Sequence, residues 1–284
     1  MSTPSMKAPG ILLARPLKAP GKIRAIVTDL DGTLLRSDHT ISAYTARILA
    51  HAHELGLTVI FATARPPASA LRLVGHVAPI SPVICSNGAV VYDAVARRRL
   101  RTQVMRLDVV RQIIGYIRDR FPHAVVAVDC ALRTVGPMRT MDPEWPDNWV
   151  SRIGNRTLWK MDKALPPPRS VICMMVLGAW RTHHEVPSIW PVAVTSSADG
   201  LIEFGAQSAN KLSALRWLCD RIGVAMDEIV AFGDMPNDVE LLRASGMSVA
   251  VANAHEQVSS VAQYVTDSND DDGVARFLEI MMSG

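Results

Sequence analysis

Two carboxylates lie two residues apart directly after the first predicted strand. The run Ile23–Thr28 is rich in β-branched residues and ends at Asp29, and Asp31 and Gly32 follow closely. Since ligands of open parallel sheets bind beyond the carboxyl ends of the strands, such carboxylates are suited to a divalent cation. A carboxylate can also attack phosphorus as a nucleophile and form an aspartyl-phosphate. A turn in which these aspartates only bond the backbone is the structural alternative.

A second acidic group follows another predicted strand, late in the chain. Asp234 comes just after the strand predicted over Glu228–Phe232, and Asn237 and Asp238 lie in the helix predicted over Pro236–Ser245. Capping of that helix is the structural alternative for these side chains. Two acidic strand ends in one parallel sheet nevertheless favour a metal site.

Thr63 and Lys211 complete a set of groups suited to phosphoryl transfer. Thr63 follows the strand predicted over Thr58–Ala62, and Lys211 lies at the start of the helix predicted over Asn210–Ile222. Taken alone, the threonine would be a helix cap and the lysine a solvated surface residue. Together with the carboxylates they supply a nucleophile, metal ligands, a hydroxyl donor and a cation. Phosphoryl transfer needs these parts because it depends on positioning and on neutralising charge.

These four segments, in this order, resemble the motifs of the haloacid dehalogenase superfamily of phosphatases. A large module lies between the second and third segments. Ser86–Ala89 at its entrance and Ser268–Ala275 near the end of the chain are similar to the Cof-type branch, which has a large α+β (C2-type) cap. The resemblance covers about residues 22–282. It implies an α/β fold in which a Rossmann-like parallel-sheet core carries the inserted α+β cap.

The resemblance also implies the catalytic and metal-binding residues. Asp29 would be the nucleophile and Asp31 the general acid and base. Magnesium would be bound by Asp29 and Asp234 and by the backbone carbonyl of Asp31, with Asp238 in support.

Phosphate and substrate contacts follow from the same resemblance. The implied phosphate-binding residues are Thr63, Lys211 and Asn237. Arg65 and Asn87 would lie near the substrate. Members of the family usually have glycine after the lysine, whereas this chain has Leu212, whose bulk could shift Lys211.

Predicted strands and helices alternate on either side of the inserted module. Near-continuous apolar strands between helices predict a parallel sheet that is covered on both faces. We therefore expect a flexible tail over residues 1–20 and a catalytic core over 20–89 and 206–284. The cap is expected over 90–205 and begins with a predicted hairpin.

The composition excludes several classes of protein. The 284 residues are 49% hydrophobic and 20% charged, with a formal net charge of +3, so neither disorder nor a dedicated nucleic-acid binder is expected. No apolar run approaches the roughly 20 residues of a membrane helix. The four widely separated cysteines are typical of the reducing cytoplasm. The sequence leaves the oligomeric state open.

The sequence thus predicts a cytoplasmic, magnesium-dependent phosphatase that hydrolyses a small phosphorylated metabolite through an aspartyl-phosphate. Sugar phosphates, nucleotides and flavin mononucleotide are the substrate classes considered, because no motif in the cap identifies one. A phosphomutase or phosphotransferase would use the same aspartate but return the phosphoryl group to a substrate. A non-enzymatic, receiver-like signalling protein would also carry a phosphorylated aspartate, but it would need neither Asp31 nor a large cap.

Three further features have less specific interpretations. Trp145 and Trp149 lie in a polar stretch interrupted by prolines, where a ring could stack on a sugar, base or flavin; most of the module's tryptophans are expected in its core. The basic run Arg97–Arg101 predicts a solvated turn that could attract an anion. Ser268–Glu279 has acidic residues at several offsets of a calcium loop, but its second half predicts an amphipathic helix.

Overall fold

A computed structural model describes most of the chain. The described residues are 23–75, 77, 82–129, 157–159, 170–196 and 200–283. The predicted tail over residues 1–20 and the pair Trp145 and Trp149 lie outside them. The chain divides into two compact units. The first unit comprises Met1–Phe61, Val77–Pro79 and Ile222–Gly284, and the second unit comprises Ala62–His76 and Ile80–Arg221.

Helices and strands alternate along the described residues. The helices are α1 (Ala43–Glu54), α2 (Pro67–Val74), α3 (Leu107–Arg120), α4 (Lys211–Ile222), α5 (Val239–Ala244), α6 (Glu256–Ser259) and α7 (Gly273–Ser283). The strands are β1 (Ala25–Thr28), β2 (Thr58–Ala62), β3 (Val83–Cys85), β4 (Val90–Asp93), β5 (Arg98–Thr102), β6 (Val125–Asp129), β7 (Thr157–Trp159), β8 (Cys173–Leu177), β9 (Val192–Ser196), β10 (Ile202–Ala206), β11 (Ile229–Gly233), β12 (Met247–Ala250) and β13 (Tyr264–Val265). Single turns of 3₁₀ helix occupy Ser86–Gly88, His183–Glu185, Met226–Glu228 and Pro236–Asp238.

A parallel sheet forms the centre of the first unit. Strands β13, β12, β11, β1 and β2 lie side by side in that order. Every residue of β1 and β11 is buried, and burial on both faces explains why these strands are continuous apolar runs. The register aligns Thr28 of β1 with Phe232 of β11. The residues that follow these two strands therefore emerge at the same edge of the sheet.

Local signals set the limits of α1. The Ser42 side chain accepts a hydrogen bond from the backbone N–H of Thr45 at 2.9 Å, which satisfies a donor of the first helical turn. Gly56 follows the helix with a φ of +84°, a left-handed conformation that glycine adopts without a Cβ clash. The sequence predicts a helix over Ser42–Leu55, and the structure differs only in treating both end residues as caps.

Antiparallel pairing dominates the second unit. Strand β4 pairs with β3 and β5, and strands β7, β6, β8, β10 and β9 form a five-stranded sheet in that order. The sequence predicts the β4–β5 hairpin as the start of the inserted module. In the structure β4 also pairs with β3 on its other side, where Val90 lies opposite Cys85. The predicted limits of core and cap stay a prediction.

One face of the five-stranded sheet packs on α3. Phe204 of β10 and Ile113 of α3 belong to one buried apolar cluster. Trp180 and Trp190 join this cluster, as expected for tryptophans of the inserted module, and the ring of Trp180 lies 5.9 Å from that of Phe204. Because side chains alternate along a strand, Glu203 belongs to the opposite face.

The predicted α/β class with a parallel-sheet core is confirmed. Strand β2 has the predicted limits, and helix α3 coincides with the helix that the sequence predicts over about Leu107–Arg120. No strand is predicted from the sequence at β9 or β10, although β9 is rich in β-branched residues and β10 alternates apolar with small or charged residues, both of which are typical of strands. Within the described residues, none of the helices has the length and apolarity needed to cross a membrane.

Candidate active site

Asp29 and Asp234 lie at the same edge of the parallel sheet. Asp29 follows β1, and its backbone N–H donates to the carbonyl oxygen of Phe232 at 3.1 Å. Asp234 follows β11. The two residues are 7% and 6% exposed, respectively. A pair of adjacent parallel strands thus carries two carboxylates, far apart in the sequence, to neighbouring positions.

Three carboxylates cluster at this edge. One oxygen atom from each of Asp29, Asp234 and Asp238 lies within 4.8 Å of the other two, and all three residues are buried. Buried carboxylates at such distances repel one another strongly unless a cation or protons offset their charge. Hard oxygen ligands of this kind are the ones that magnesium and calcium ions take in proteins. The cluster can therefore hold a divalent metal ion.

Hydrogen bonds orient two of these carboxylates. Oδ1 of Asp234 accepts from the Thr33 hydroxyl at 2.8 Å. Oδ2 of Asp238 accepts from the backbone N–H groups of Asp234 and Met235 at 3.3 and 3.2 Å. A Cβ atom on Gly233 would collide with the Asp238 side chain. The capping alternative is thus partly right, since Asp238 bonds the backbone at the start of its turn while it also belongs to the cluster.

Gly32 allows the chain to turn closely beside Asp234. Its φ is +75°, which residues with a Cβ adopt only at a cost, and a Cβ there would run into the Asp234 carboxylate. The carbonyl oxygen of Gly32 accepts a hydrogen bond from Nδ2 of Asn253 at 2.7 Å. The loop after β12 therefore helps to hold the loop after β1.

Asp31 differs from the clustered aspartates in its surroundings. Its side chain is 37% exposed, and its Oδ1 lies 3.8 Å from Nδ1 of His39. A partly exposed carboxylate can exchange protons with solvent, as a general acid and base must. The expected contribution of its backbone carbonyl to a metal site stays a prediction.

An ion pair ties the loop after Asp31 to the segment before α7. Asp272 accepts hydrogen bonds from the Arg36 guanidinium at 2.5 and 3.3 Å and from the Thr45 hydroxyl at 3.0 Å. Desolvation is the strongest single influence on Asp272 and raises its pKa, but the hydrogen bonds that it accepts, chiefly from Arg36, outweigh it and lower that pKa below its ordinary value. The hydrogen bond to Asp272 in turn raises the pKa of Arg36.

Two neighbouring contacts reinforce this connection. The Asp270 carboxylate accepts from the backbone N–H and the hydroxyl of Ser37 at 2.8 and 2.7 Å. Nδ2 of Asn269 donates to the carbonyl oxygen of Leu35 at 2.9 Å. The acidic residues that resemble a calcium loop thus bind protein groups, and α7 begins at Gly273, as the amphipathic-helix alternative predicts.

In the second unit, Thr63 and Arg65 form a tight turn after β2. Thr63 is fully buried, its N–H donates to the carbonyl oxygen of Ile84 at 2.8 Å, and its hydroxyl accepts from the N–H of Arg65 at 3.0 Å. The Arg65 guanidinium donates to the Ser69 hydroxyl at 3.2 Å. The Thr63 hydroxyl therefore caps a turn, and its proton can still be donated to a ligand oxygen.

Asn87 is linked to Thr63 through the backbone. Its N–H donates to the carbonyl oxygen of Thr63 at 3.1 Å, and the N–H of Ser86 donates to the carbonyl oxygen of Arg65 at 2.9 Å. Three successive residues of this turn, Ser86, Asn87 and Gly88, have φ values of +50°, +51° and +91°. The turn after β3 thus lies directly beside the turn after β2.

The same turn reaches the start of α4. A Cβ atom on Gly88 would collide with the carbonyl oxygen of Asn210. Lys211, the first residue of α4, is only 2% exposed although the half-buried Leu212 follows it. The leucine therefore does not turn the ammonium group out to solvent. Ammonium groups and the N-termini of helices both bind anions in proteins, so this position is compatible with an anionic ligand.

The structure brings the predicted residues together in two groups. The first unit holds the clustered Asp29, Asp234 and Asp238, with Asp31 after β1 and Asn237 half-buried in the turn before α5. The second unit holds Thr63, Arg65, Asn87 and Lys211 at neighbouring turns.

Sequence reasoning missed three residues that touch these groups. Thr33 lies inside the first motif, and its hydroxyl next to two aspartates is a signal that could have found it. Asn253 and Glu203 carry no such signal. Glu203 accepts a hydrogen bond from Nδ2 of Asn87 at 3.2 Å.

Comparison with known proteins gives relatives along nearly the whole chain. The chain is 28% identical over 279 residues to pyridoxal phosphate phosphatase YbhA of Escherichia coli (strain K12). This match covers 90% of this chain and 97% of the relative. It is 25% identical over 286 residues to 5-amino-6-(5-phospho-D-ribitylamino)uracil phosphatase YwtE of Bacillus subtilis (strain 168), over 92% of this chain and 99% of the relative. The solved structure of a haloacid dehalogenase-like hydrolase from B. subtilis is similar in fold, with a TM-score of 0.71 and 22% identity over 90% of this chain and 99% of that chain.

The family comparison is equally extensive. The sequence model of the haloacid dehalogenase-like hydrolases matches residues 26–278. The predictions of a Cof-type haloacid dehalogenase fold and of a hydrolase of phosphate monoesters are thereby confirmed. With its clustered aspartates at the carboxyl edge of a parallel sheet, the chain belongs to the haloacid dehalogenase-like hydrolase family.

Proposed function

We propose that this chain is a magnesium-dependent phosphatase that hydrolyses a small phosphorylated metabolite through an aspartyl-phosphate intermediate. The observation that carries the proposal is the buried cluster of Asp29, Asp234 and Asp238 at the edge of the parallel sheet. A nucleophilic carboxylate beside two others suits in-line phosphoryl transfer, because the reaction depends on neutralising the charge of the phosphate and of the attacking group.

Magnesium fits this cluster because its donor atoms are carboxylate oxygens. We assign the ion to Asp29, Asp234 and Asp238, with the backbone carbonyl of Asp31 as a further ligand. When bound, the ion offsets the negative charge that would otherwise keep a phosphate away from these carboxylates.

Asp29 and Asp31 have separate roles in the proposed reaction. A carboxylate oxygen of Asp29 attacks phosphorus in line, and the bond between phosphorus and the ester oxygen breaks while Asp31 donates a proton to that oxygen. The ionised Asp31 then takes a proton from water, whose oxygen attacks the phosphorus and releases Asp29 and inorganic phosphate. The partial exposure of the Asp31 side chain supports a role that requires proton exchange with solvent.

The remaining site residues are assigned to the phosphate and the rest of the substrate. Thr63, Lys211 and Asn237 would hold phosphoryl oxygens through a hydroxyl, an ammonium and an amide. Arg65 and Asn87 would contact the rest of the substrate. The burial of Thr63 and Lys211 supports this assignment, since hydrogen bonds to a charged ligand are stronger away from water.

We assign the catalytic core to residues 20–89 and 206–284 and the cap to 90–205. A module inserted between catalytic segments can exclude water and select the alcohol part of the substrate. The names of the two relatives denote small phosphorylated metabolites, so we propose a sugar phosphate, a nucleotide or flavin mononucleotide as the substrate class. We place the enzyme in the cytoplasm, which the free thiols of Cys85 and Cys219 support.

A substrate screen tests the proposal. The purified full chain with magnesium is incubated with p-nitrophenyl phosphate and a panel of sugar phosphates, nucleotides, pyridoxal phosphate and flavin mononucleotide, and phosphate release is measured. We expect turnover that excess chelator abolishes. Transfer of the phosphoryl group to an added sugar phosphate would instead indicate a phosphomutase. A stable phosphoprotein without turnover of any ester would indicate a receiver-like protein.

A further inference from the structure

The second face of the five-stranded sheet carries two carboxylates. Residues directly opposite in antiparallel strands share a face, so Glu203 shares one with Met175 of β8 and Thr195 of β9. The Thr195 hydroxyl donates to Oε2 of Glu203 at 3.5 Å. Asp129 of β6 pairs with Cys173, two residues before Met175, and therefore lies on the same face.

Two interactions link this face to the turn Ser86–Gly88. Nδ2 of Asn87 donates to the same Oε2 atom of Glu203 at 3.2 Å. Burial raises the pKa of the Cys85 thiol, just before the turn, and the charge of Asp129 adds to that increase. The turn therefore meets the face of the sheet that carries these two carboxylates.

The turn itself has two unusual features. Ser86 and Asn87 are both left-handed, a conformation that residues other than glycine adopt at a cost and that is found at ligand sites. The Ser86 hydroxyl is buried, and no group in the described part of the chain forms a hydrogen bond with it. A buried hydroxyl without a partner destabilises a fold unless a ligand supplies one.

We infer that the turn Ser86–Gly88 and Glu203 form the subsite for the alcohol part of the phosphate ester, and that this subsite selects an uncharged polyhydroxyl group over one with a second anionic group. The inference rests on the proposed function, in which Thr63 holds the phosphate. Because Asn87 donates to the backbone of Thr63, the turn lies where the ester's alcohol would begin. A hydroxyl group can bond with serine, amide and carboxylate alike, whereas an anion is repelled by the carboxylate.

Glycerol 3-phosphate and 3-phosphoglycerate provide a matched pair of probes, since they differ in a hydroxymethyl group against a carboxylate. In the magnesium-loaded full chain, we expect kcat/KM to favour glycerol 3-phosphate by at least about tenfold, because the carboxylate of 3-phosphoglycerate would take the place of the hydroxyl that bonds with Glu203 and would be repelled by that like charge. Glu203→Gln should remove most of this preference. The control is Glu185→Gln, an exposed carboxylate of the same unit whose partner is Arg181 at 3.4 Å, and it should keep the wild-type ratio.

Ser86→Ala tests the hydroxyl separately. It should lower kcat/KM for glycerol 3-phosphate about fivefold, the value of one neutral hydrogen bond. Its melting temperature should not fall, because the hydroxyl that is removed has no partner in the protein. A loss of thermal stability with unchanged kcat/KM would identify a structural residue and overturn the assignment.

The outcomes separate this inference from the proposed function. Equal kcat/KM for the two esters in the wild type, or equal shifts in Glu203→Gln and Glu185→Gln, would overturn the subsite while the phosphatase stands. If p-nitrophenyl phosphate is not hydrolysed either, the proposed function fails first and the subsite with it. Should Glu203→Gln not fold, inhibition constants of the two esters against p-nitrophenyl phosphate in the wild type give the same comparison without a variant.

Discussion

The two units of this protein assemble their polar groups in different ways. In the first unit, Asp29 and Asp234 are placed by two adjacent parallel strands, and each lies in a short segment that begins where a strand ends. In the second unit, Asn87 meets Glu203 because antiparallel register turns Glu203 to one face of a sheet. Glu203 itself lies within its strand, as the second of its five residues, and not after the strand's end.

This difference determines what a sequence can reveal. A carboxylate after an apolar run is visible as a pattern, because the strand end is marked locally and parallel strands share an edge. A carboxylate within a strand is visible only when its pairing is known, since a shift of one residue would move it to the other face. We therefore expect that the groups for bond cleavage are encoded locally and the groups for substrate choice are encoded by register.

Asp29→Asn should have the largest effect and tests the first half of this comparison. The change keeps the shape of the side chain but removes the nucleophile and one charge of the cluster. We expect kcat/KM for p-nitrophenyl phosphate to fall by at least roughly 10³-fold. The melting temperature measured by circular dichroism should not fall, because repulsion within the cluster decreases.

The matched control for that variant is Asp119→Asn, which alters an exposed aspartate of α3. Its kcat/KM and melting temperature should equal those of the wild type. An Asp29→Asn enzyme that keeps a substantial share of wild-type turnover would show that the nucleophile lies elsewhere.

Asp31→Asn should have the next largest effect, because it separates the two steps of the reaction. Loss of a general acid and base slows turnover by roughly 10²- to 10⁴-fold. Asp29 can still attack an aryl phosphate with a good leaving group, so the phosphoryl-enzyme should accumulate. Rapid-quench mass spectrometry measures this species. If all substrates slow equally and no intermediate accumulates beyond the wild-type level, Asp31 does not activate water.

Asp238→Asn tests whether the third carboxylate of the cluster in the first unit binds the metal ion. One of three clustered charges is removed, while the amide oxygen can still accept from the backbone N–H groups of Asp234 and Met235. We expect the affinity for magnesium to fall at least about tenfold, since ligand charge sets the affinity of such sites. The measurement is the rise in melting temperature on magnesium titration, which needs no turnover. Titration curves that coincide for variant and wild type would remove Asp238 from the metal site.

The sequence predicts those parts of the fold that local signals determine. Strand β2 has its predicted limits, and helix α3 coincides with the predicted helix, because apolar periodicity defines both elements. Asp29 and Asp234 are predicted as partners because each follows a buried strand. The ion pair of Arg36 with Asp272 spans 236 residues and is invisible before the fold is known. The pairing of β4 with β3 is local, since Cys85 and Val90 lie five residues apart, but β4 is predicted only as a partner of β5, and its second edge has no separate mark in the sequence.

The smallest expected effect concerns the ion pair of Arg36 with Asp272, whose contribution to the stability of the fold depends on pH. The pKa of Asp272 in the folded protein lies below its ordinary value, so the ionised carboxylate stabilises the fold at pH values above the unfolded pKa of about 3.9. This stabilisation is lost as the pH falls through the lower, folded-state pKa. At neutral pH, Asp272→Asn should lower the melting temperature by roughly 2–4 °C, and the difference from the wild type should vanish in acid.

A second arginine–aspartate pair supplies the control for this effect. Asp108 accepts from the Arg106 guanidinium at 2.6 and 3.1 Å, so its geometry resembles that of Asp272, and its pKa is also lowered, first by the hydrogen bond from Arg106. Its partner is two residues away and both side chains are exposed, so the pair joins no distant segments and should contribute little. Asp108→Asn should therefore shift the melting temperature less than Asp272→Asn at neutral pH. Equal shifts would show that the contact between the loop after β1 and the segment before α7 adds nothing beyond an ordinary surface ion pair.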